Sequence, residues 1–256
     1  MDDARLTALA YESLHPFYEL MAAGAPTSRI ERMRDVLACV VPSVPERSFM
    51  NGVVYDDAGA LEEALPGLAR LYDDAGVNAW TVWTKAGDRR AAEVLERAGH
   101  VLDATPVAMA MPLAEWEQVP GRGAEVGAID VGGLTRINDA AYGWNDEFTR
   151  GFSTAKEQLR KYGARIDGTD VACAAWLRCG DDCAVYMVAC LPEAQGRGLA
   201  TDLMIRILGD ARAEGCTTTT LQASKAGYPI YLRLGYRDLG RLEMWERRRE
   251  AGDASR

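Results

Sequence analysis

Apolar residues recur at helical spacing in two well-separated stretches of the chain. In the second half, apolar side chains occur every three or four residues between positions 200 and 211, and Gly215 follows as a stop signal. The positions are Ala200, Leu203, Met204, Ile207, Leu208 and Ala211. In the first half, the spacing is repeated by Leu61, Leu65, Leu68 and Tyr72, before Gly76. Each pattern predicts an amphipathic helix with one buried face.

The segments after the two helices follow the same order. Residues 216–223 and 79–83 have strand propensity, and residues 230–235 form a short helix that ends at Gly235. Residues 236–245 then read as one or two strands. In the first half, residues 94–100 align with residues 230–236, and a strand through Val107 and Met109 follows. We interpret this order as an internal duplication.

Proline and glycine cluster between the two halves. Residues 112–127 contain Pro112, Pro120, Gly121, Gly123 and Gly127 around a short polar stretch, a composition typical of a linker. The pattern therefore predicts a domain over residues 1–115, a linker over 116–123, a second domain over 124–248 and a tail over 249–256. Alternating strands and helices in both halves favour an α/β fold.

Composition describes an ordinary globular chain. Of 256 residues, 48% are hydrophobic and 26% are charged, and no apolar run approaches the roughly 18 residues of a membrane helix. The start of the chain, with Asp2 and Asp3, has an acidic flank where a secretory signal is basic. A cytoplasmic protein without membrane association is expected, as a monomer or homodimer.

The net charge and the numbers of cysteines and histidines argue against nucleic acid and metal ions as partners. The net charge of -9 argues against nucleic acid as a partner, and the cationic run Arg247, Arg248 and Arg249 is expected to be a solvated end. Six cysteines form no C-x-x-C pair and only two histidines are present, so no metal site is expected and the cysteines are interpreted as buried, reduced side chains.

A turn that contains two glycines lies between an apolar strand and the predicted helix of the second half. Gly196 and Gly198 allow close approach of the backbone, and the first N–H groups of the helix favour an anion. The chain has no Walker string, which argues against a nucleotide triphosphate. Thr201 stands where a dinucleotide fingerprint has Gly or Ala, which argues against NAD.

This turn resembles the signature Q/R-x-x-G-x-G/A of the GNAT acyltransferase superfamily, through Gln195, Gly198 and Ala200. Downstream, residues 224–236 are similar to the family segment N-x-x-A-x-x-L-Y-x-x-x-G-F, with Ser224 for Asn and Tyr236 for Phe. The resemblance covers residues 125–248 and extends to the first half only through element order. It implies two tandem GNAT-like α/β domains, each with a mixed, mostly antiparallel sheet flanked by helices.

The resemblance also implies an activity, the transfer of an acetyl group from acetyl-CoA to a primary amine of a small molecule or peptide. In the family, the amine attacks the thioester directly, through a tetrahedral intermediate. Tyr231 matches the tyrosine that protonates the leaving thiolate, although packing beside Ile230 and Leu234 is its alternative role. The implied acetyl-CoA contacts are Val188, Ala189, Cys190, Gln195, Gly196, Arg197, Gly198, Leu199, Ala200, Thr201 and Ser224.

Several assignments stay open at this level. The candidate general bases are Asp139, Glu147, Asp181 and Asp182, and a water chain is an equal alternative. Tyr142, Trp144 and Phe148 either line an amine pocket or pack between helices. A non-catalytic acetyl-CoA sensor or scaffold is the rival function, since residues 184–190, before the turn, contain no Asp or Glu.

The first half is expected to keep the scaffold without the CoA site. Asp56 and Asp57 stand where the glycine-containing turn belongs, and two carboxylates there repel a pyrophosphate. Leu95 occupies the position of Tyr231 and has no proton to donate.

Overall fold

The computed structural model describes residues 1–154 and 157–249, so most of the expected tail over 249–256 lies outside the described residues. In the described part, the helices are α1 (Asp3–Glu12), α2 (Leu14–Ala22), α3 (Ala58–Asp74), α4 (Arg89–Arg97), α5 (Val131–Tyr142), α6 (Glu147–Gly151), α7 (Leu199–Ala213) and α8 (Tyr228–Arg233). The strands are β1 (Arg29–Met33), β2 (Val36–Val40), β3 (Gly52–Tyr55), β4 (Ala79–Thr84), β5 (Val101–Ala104), β6 (Val107–Pro112), β7 (Glu125–Ala128), β8 (Arg160–Ile166), β9 (Thr169–Cys179), β10 (Asp182–Cys190), β11 (Thr218–Ala223), β12 (Arg237–Arg241) and β13 (Glu243–Arg248).

The strands form two mixed, mostly antiparallel sheets in an α/β fold. The first sheet has the order β1-β2-β3-β4-β13-β5, and the second has the order β12-β6-β11-β10-β9-β8-β7. Each contains a parallel pair whose strands are joined by a long helix: β3 and β4 through α3, and β10 and β11 through α7. The shared strand-helix-strand unit is what the sequence pattern predicts for both halves.

The two amphipathic helices bury the residues that their spacing selects. Helix α3 buries Leu61, Leu65, Leu68 and Tyr72, which confirms the predicted face. Helix α7 buries Leu203, Met204, Ile207, Leu208 and Ala211, whereas Ala200, which the spacing also selects, is only partly buried. Each such large apolar side chain contributes about 1.5 to 3 kcal/mol when fully buried, so each helix is held firmly on its sheet.

The chain divides into two compact units, each built from two segments. The C-terminal unit consists of Met1–Ser13 and Val107–Gly240, and the N-terminal unit consists of Leu14–Pro106 and the described residues from Arg241 onward. Thus α1 and β6 belong to the C-terminal unit, and β13 belongs to the N-terminal unit. The halves predicted as 1–115 and 124–248 are continuous, whereas each compact unit takes one strand from the opposite half of the sequence.

The expectation that Arg247, Arg248 and Arg249 form a solvated end was wrong. Arg247 and Arg248 lie in β13, which pairs with β4, and the Arg248 side chain contacts Glu46 and Glu246. The Arg249 side chain pairs with Asp73. Met244 and Trp245 of β13 are buried, and their packing holds the strand beside β4 despite the high charge of the run.

Candidate functional site

The site of interest lies in the C-terminal unit, where β10 and β11 separate. The parallel ladder between them joins only residues 182–184 to residues 218–220, after which the register of β10 with β9 shifts between Tyr186 and Ala189. Met187 has a φ of +57°, in the left-handed region that few non-glycine residues adopt. Beyond the bulge, residues 189 and 190 pair with β9, whereas the ladder of β10 with β11 has ended, and residues 188–190 line a cavity.

A small buried network lies directly behind this bulge. The Asn138 amide donates to the carbonyl of Leu134 at 2.8 Å and to the Cys173 Sγ at 3.3 Å. The Cys173 Sγ lies 3.6 Å from the Met187 carbonyl oxygen, within reach of an S–H donor. Helix α5 and β9 therefore supply partners for the strained segment, and burial raises the pKa of the Cys173 thiol, which keeps it protonated.

The turn between β10 and α7 has the form that its glycines predict. Gly196 has a φ of +77° and Gly198 has a φ of +83°, and Gly198 is the N-cap of α7 without a side-chain hydrogen bond at that cap. The Gln195 side chain donates to the Cys190 carbonyl at 3.4 Å. No side chain of the cap competes for the first N–H groups of the helix, which suits this end to an anion.

A cavity of about 1230 Å³ opens at this turn. All of the residues that sequence reasoning assigned to acetyl-CoA line it, together with Tyr231. They are Val188, Ala189, Cys190, Gln195, Gly196, Arg197, Gly198, Leu199, Ala200, Thr201 and Ser224. The structure thus brings together two stretches about 30 residues apart in sequence, and their roles in binding remain predictions.

Tyr231 lies on α8 with 7% of its surface exposed. Burial raises the pKa of its hydroxyl, so the phenol stays protonated throughout the neutral range. Within the described residues its hydroxyl makes no hydrogen bond, and its ring contacts Tyr236 edge-on at 5.8 Å. Gly227 packs so closely against this ring that a Cβ there would lie 2.7 Å from it, and the Ser224 hydroxyl accepts from the Gly227 N–H.

The candidate bases have other environments. Asp139 accepts from the backbone N–H groups of Phe148 and Thr149 and holds the start of α6. Asp182 accepts from the hydroxyls of Thr218 and Thr220, and burial raises its pKa to about 6. None of Asp139, Glu147, Asp181 and Asp182 lines the cavity.

The charged side chains that do line the cavity are all cationic in the described part of the chain. They are Arg122, Arg197 and Arg233, and none makes an ion pair with a described residue. Arg233 and Arg122 were not anticipated from sequence; the only available signal for Arg122 was its place beside the glycines of the linker. Tyr142, Trp144 and Phe148 were candidates for an amine pocket. Tyr142 lines the cavity, whereas Phe148 is buried and packs against Trp144.

The cysteines, possible metal ligands and the polarity of the helices also bear on the expectations from sequence. All six cysteines are free, and in the described ranges no three His, Cys, Asp or Glu side chains come together as metal ligands. Over the same ranges, every helix is too short or too polar to span a bilayer.

Comparisons with known proteins agree with this geometry. Residues 158–238 match the acetyltransferase (GNAT) domain family, and no curated protein sequence matches the chain. A GCN5-related N-acetyltransferase from Kribbella flavida superposes with a TM-score of 0.67 at 17% identity, over 93% of this chain and 95% of that one. A GCN5-related N-acetyltransferase from Sphaerobacter thermophilus gives 0.59 at 16% identity, over 84% and 76%.

A tandem GNAT protein from the clavulanic acid biosynthesis pathway also superposes over nearly the full length. Its TM-score is 0.59 at 13% identity, over 94% of this chain and 96% of that one. At such identities the structures establish the fold alone, while the sequence match covers β8 to α8, including the turn and Tyr231. Residues 158–238 are therefore identified by sequence as a GNAT acetyltransferase domain, and the chain has the two-sheet α/β fold of tandem GNAT structures.

Proposed function

We propose that the protein is an acetyl-CoA-dependent N-acetyltransferase that acts on a primary amine of a small molecule or peptide. The observation that carries this proposal is the cavity itself. It is lined by the glycine turn at the N-terminus of α7, by the end of β10 beyond its ladder with β11, and by the buried Tyr231. The charged side chains that line it are cationic. A long anionic ligand with a reactive end fits this arrangement, because phosphates favour the turn and a neutral thioester suits the strand.

The N–H groups of the turn are assigned to the pyrophosphate of acetyl-CoA. Gly196 and Gly198 hold the backbone in conformations that other residues rarely adopt, and residues 199–201 at the start of α7 line the cavity. Arg197 and Arg233 add positive charge at the cavity wall. When bound, acetyl-CoA supplies the acetyl group as an activated thioester.

The end of β10 that has separated from β11, residues 188–190, is assigned to the acetyl thioester. Residues 188–190 face the cavity with backbone donors, which stabilise an oxygen that gains negative charge. Tyr231 supplies the proton that the departing sulfur needs, since its buried phenol is protonated at neutral pH. Cys190, which lies beside these donors, is a packing residue because burial raises its pKa.

The amine must also lose a proton before or during attack. Because Asp139 and Asp182 are occupied by hydrogen bonds within the fold, we assign this proton to water in the open part of the cavity. This predicts a rate that rises with pH as the free amine becomes more abundant.

Measurement of thiol release from acetyl-CoA across a panel of primary amines tests the proposal. Turnover with at least one amine, at a rate well above hydrolysis, is the expected result. Tight acetyl-CoA binding without thiol release for any amine would instead identify a sensor or scaffold. Absence of binding would remove both functions.

A further inference from the structure

The segment between the two halves of the sequence lines part of the cavity. We call residues 119–124 the strap; it has no regular secondary structure and ends where β7 begins. Val119, Pro120, Gly121 and Arg122 all line the cavity. A stretch with the composition of a linker therefore forms part of a wall of the site.

The strap is fastened to α7 by one carboxylate. Asp202 Oδ1 accepts from the Arg122 N–H at 2.6 Å, and Oδ2 accepts from the Ala124 N–H at 2.8 Å. Asp202 lies in the first turn of α7 and is 7% exposed. A Cβ at Gly121 would lie 2.6 Å from Asp202 Oδ1, so glycine at that position permits the close approach. Two hydrogen bonds from the backbone to one buried carboxylate give the strap a defined position.

The Arg122 side chain lies against the turn between β10 and α7. A Cβ on Gly198 would overlap the Cγ of Arg122, so the stem of Arg122 packs directly on the N-cap of α7. Arg122 makes no ion pair with any described residue, although the chain as a whole carries an excess of acidic residues. An arginine held at this place by its own backbone, with its guanidinium unpaired, is suited to a phosphate of the ligand.

We infer that Arg122 binds the pyrophosphate of acetyl-CoA and that Asp202 is the positioning residue that places it. The inference rests on the proposed function, and it makes the strap part of the cosubstrate site. The pyrophosphate is chosen over the 3′-phosphate because Arg122 contacts Gly198, in the same turn whose N–H groups are assigned to the pyrophosphate. Both oxygens of Asp202 accept from backbone N–H groups of the strap, which fixes the backbone of Arg122 beside the turn.

Calorimetric titration of acetyl-CoA into the full-length protein tests the inference, with Arg122→Ala, Arg122→Lys and Arg206→Ala. Arg206 is the matched control, because it lies on α7, pairs with Asp210 and does not line the cavity. We expect Arg122→Ala to raise the Kd at least tenfold, Arg122→Lys to raise it less, and Arg206→Ala to leave it unchanged. Arg122 is exposed, so its loss should not impair folding.

Two further experiments test which phosphate Arg122 binds and whether Asp202 positions Arg122 or only stabilises the fold. The effect of Arg122→Ala should be equally large with acetyl-dephospho-CoA, which lacks the 3′-phosphate; an effect confined to acetyl-CoA would overturn the pyrophosphate assignment. Asp202→Asn should weaken binding in the wild-type background but add little to Arg122→Ala, whereas equal effects in both backgrounds would show a merely structural role. If the wild-type protein binds acetyl-CoA and Arg122→Ala binds it equally well, the inference fails while the proposed function stands.

Discussion

The hydroxyl of Tyr231 is buried, protonated and without a hydrogen-bond partner among the described residues. Tyr231→Phe should therefore leave the fold and the Kd for acetyl-CoA nearly unchanged while lowering kcat by roughly 10² to 10⁴, the range for a lost general acid. Steady-state kinetics and calorimetry on the same preparation measure the two quantities.

Tyr236→Phe is the matched control for this substitution. Tyr236 contacts the Tyr231 ring, but its hydroxyl is bonded to Thr219 at 2.8 Å and does not line the cavity. Its loss should cost stability, about 1 kcal/mol for one buried hydrogen bond, with little effect on kcat. Normal turnover by Tyr231→Phe would show that another donor serves the thiolate.

Gly198 and Gly196 share a left-handed backbone but differ in their surroundings. A side chain at Gly196 meets nothing within 4 Å, whereas one at Gly198 meets Arg122. Gly196→Ala should thus cost mainly backbone strain, roughly 1 kcal/mol. Gly198→Asp, which also adds negative charge at the turn, should weaken acetyl-CoA binding at least tenfold, or about 1.4 kcal/mol, by calorimetry. Unchanged affinity in a folded Gly198→Asp protein would contradict the assignment of the turn.

His100 in the N-terminal unit is buried beside Trp80, and neither ring nitrogen has a hydrogen-bond partner among the described residues. Burial, with Arg247 nearby, lowers its pKa to about 4. Its unfolded pKa is about 6.5, so the unfolded chain binds this proton first and stability falls as the pH drops from about 6.5 towards 4.

His100→Phe removes this proton and keeps an aromatic ring against Trp80. The wild-type protein should lose about 2 kcal/mol more than the variant between pH 7.5 and pH 5, measured by urea unfolding at both pH values. An equal loss in both proteins would show that His100 does not titrate in this way.

At the scale of elements, sequence periodicity found the helices and the turn but not the partners of two strands. The burial of Leu61, Leu65 and Leu68 follows from local spacing alone, as does the left-handed turn at Gly198. The placement of β6 beside β11 and of β13 beside β4 does not. Strand pairing depends on residues more than 100 positions apart, and an apolar strand suits either sheet equally well.

The same limit applies to the site. The motif residues were accessible from the sequence because backbone conformation and helix ends leave a local signature in glycine. Arg122 was not, because its position is set by the Asp202 carboxylate 80 residues away. Met187 also escaped notice, since a bulge at a non-glycine residue has no sequence signature.

The place of β13 predicts which fragment of the chain folds. Fragment 1–115 lacks the strand that lies between β4 and β5, together with Trp245, which packs into the core of the N-terminal unit. Residues 14–106 joined directly to 241–249 should fold, because β5 and β13 are antiparallel and the Leu242 N–H donates to the Pro106 carbonyl at 3.0 Å.

Circular dichroism during heating compares the two fragments. Cooperative unfolding is expected for the joined fragment and a gradual, non-cooperative change for fragment 1–115. Equally cooperative melting of fragment 1–115 would mean that β13 is dispensable for the first sheet.

At the scale of the whole molecule, the net charge of the chain and the charge of the cavity lining have opposite signs. The chain carries a net charge of -9, yet the described charged side chains that line the cavity are arginines. The overall field disfavours an anion such as acetyl-CoA at long range, so the proposed binding of acetyl-CoA depends on short-range contacts in the turn and at the arginines. The two strand-helix-strand units have the same element order and a parallel strand pair each, but the N-termini of their helices differ.

The difference between the two helix ends predicts the stoichiometry of binding. In α3, the Asp57 side chain is the N-cap and accepts from the Ala60 N–H at 2.9 Å, so a carboxylate already occupies the end that an anion would use. Asp56 beside it is exposed and adds a second negative charge. In α7, the N-cap is Gly198, which offers no competing side chain. Leu95, on α4, is buried and has no proton to give where α8 has Tyr231.

We therefore expect one acetyl-CoA per chain, bound by the C-terminal unit. Calorimetric titration of the intact protein should give a stoichiometry near one, and Gly198→Asp should lose that site without revealing another. Asp57→Ala supplies the reciprocal control: it should destabilise α3 by about 1 kcal/mol through loss of the cap, without creating a second site, because Asp56 and Leu95 remain. Two molecules bound per chain, or binding that survives Gly198→Asp and is lost on Asp57→Ala, would place the active site in the other half.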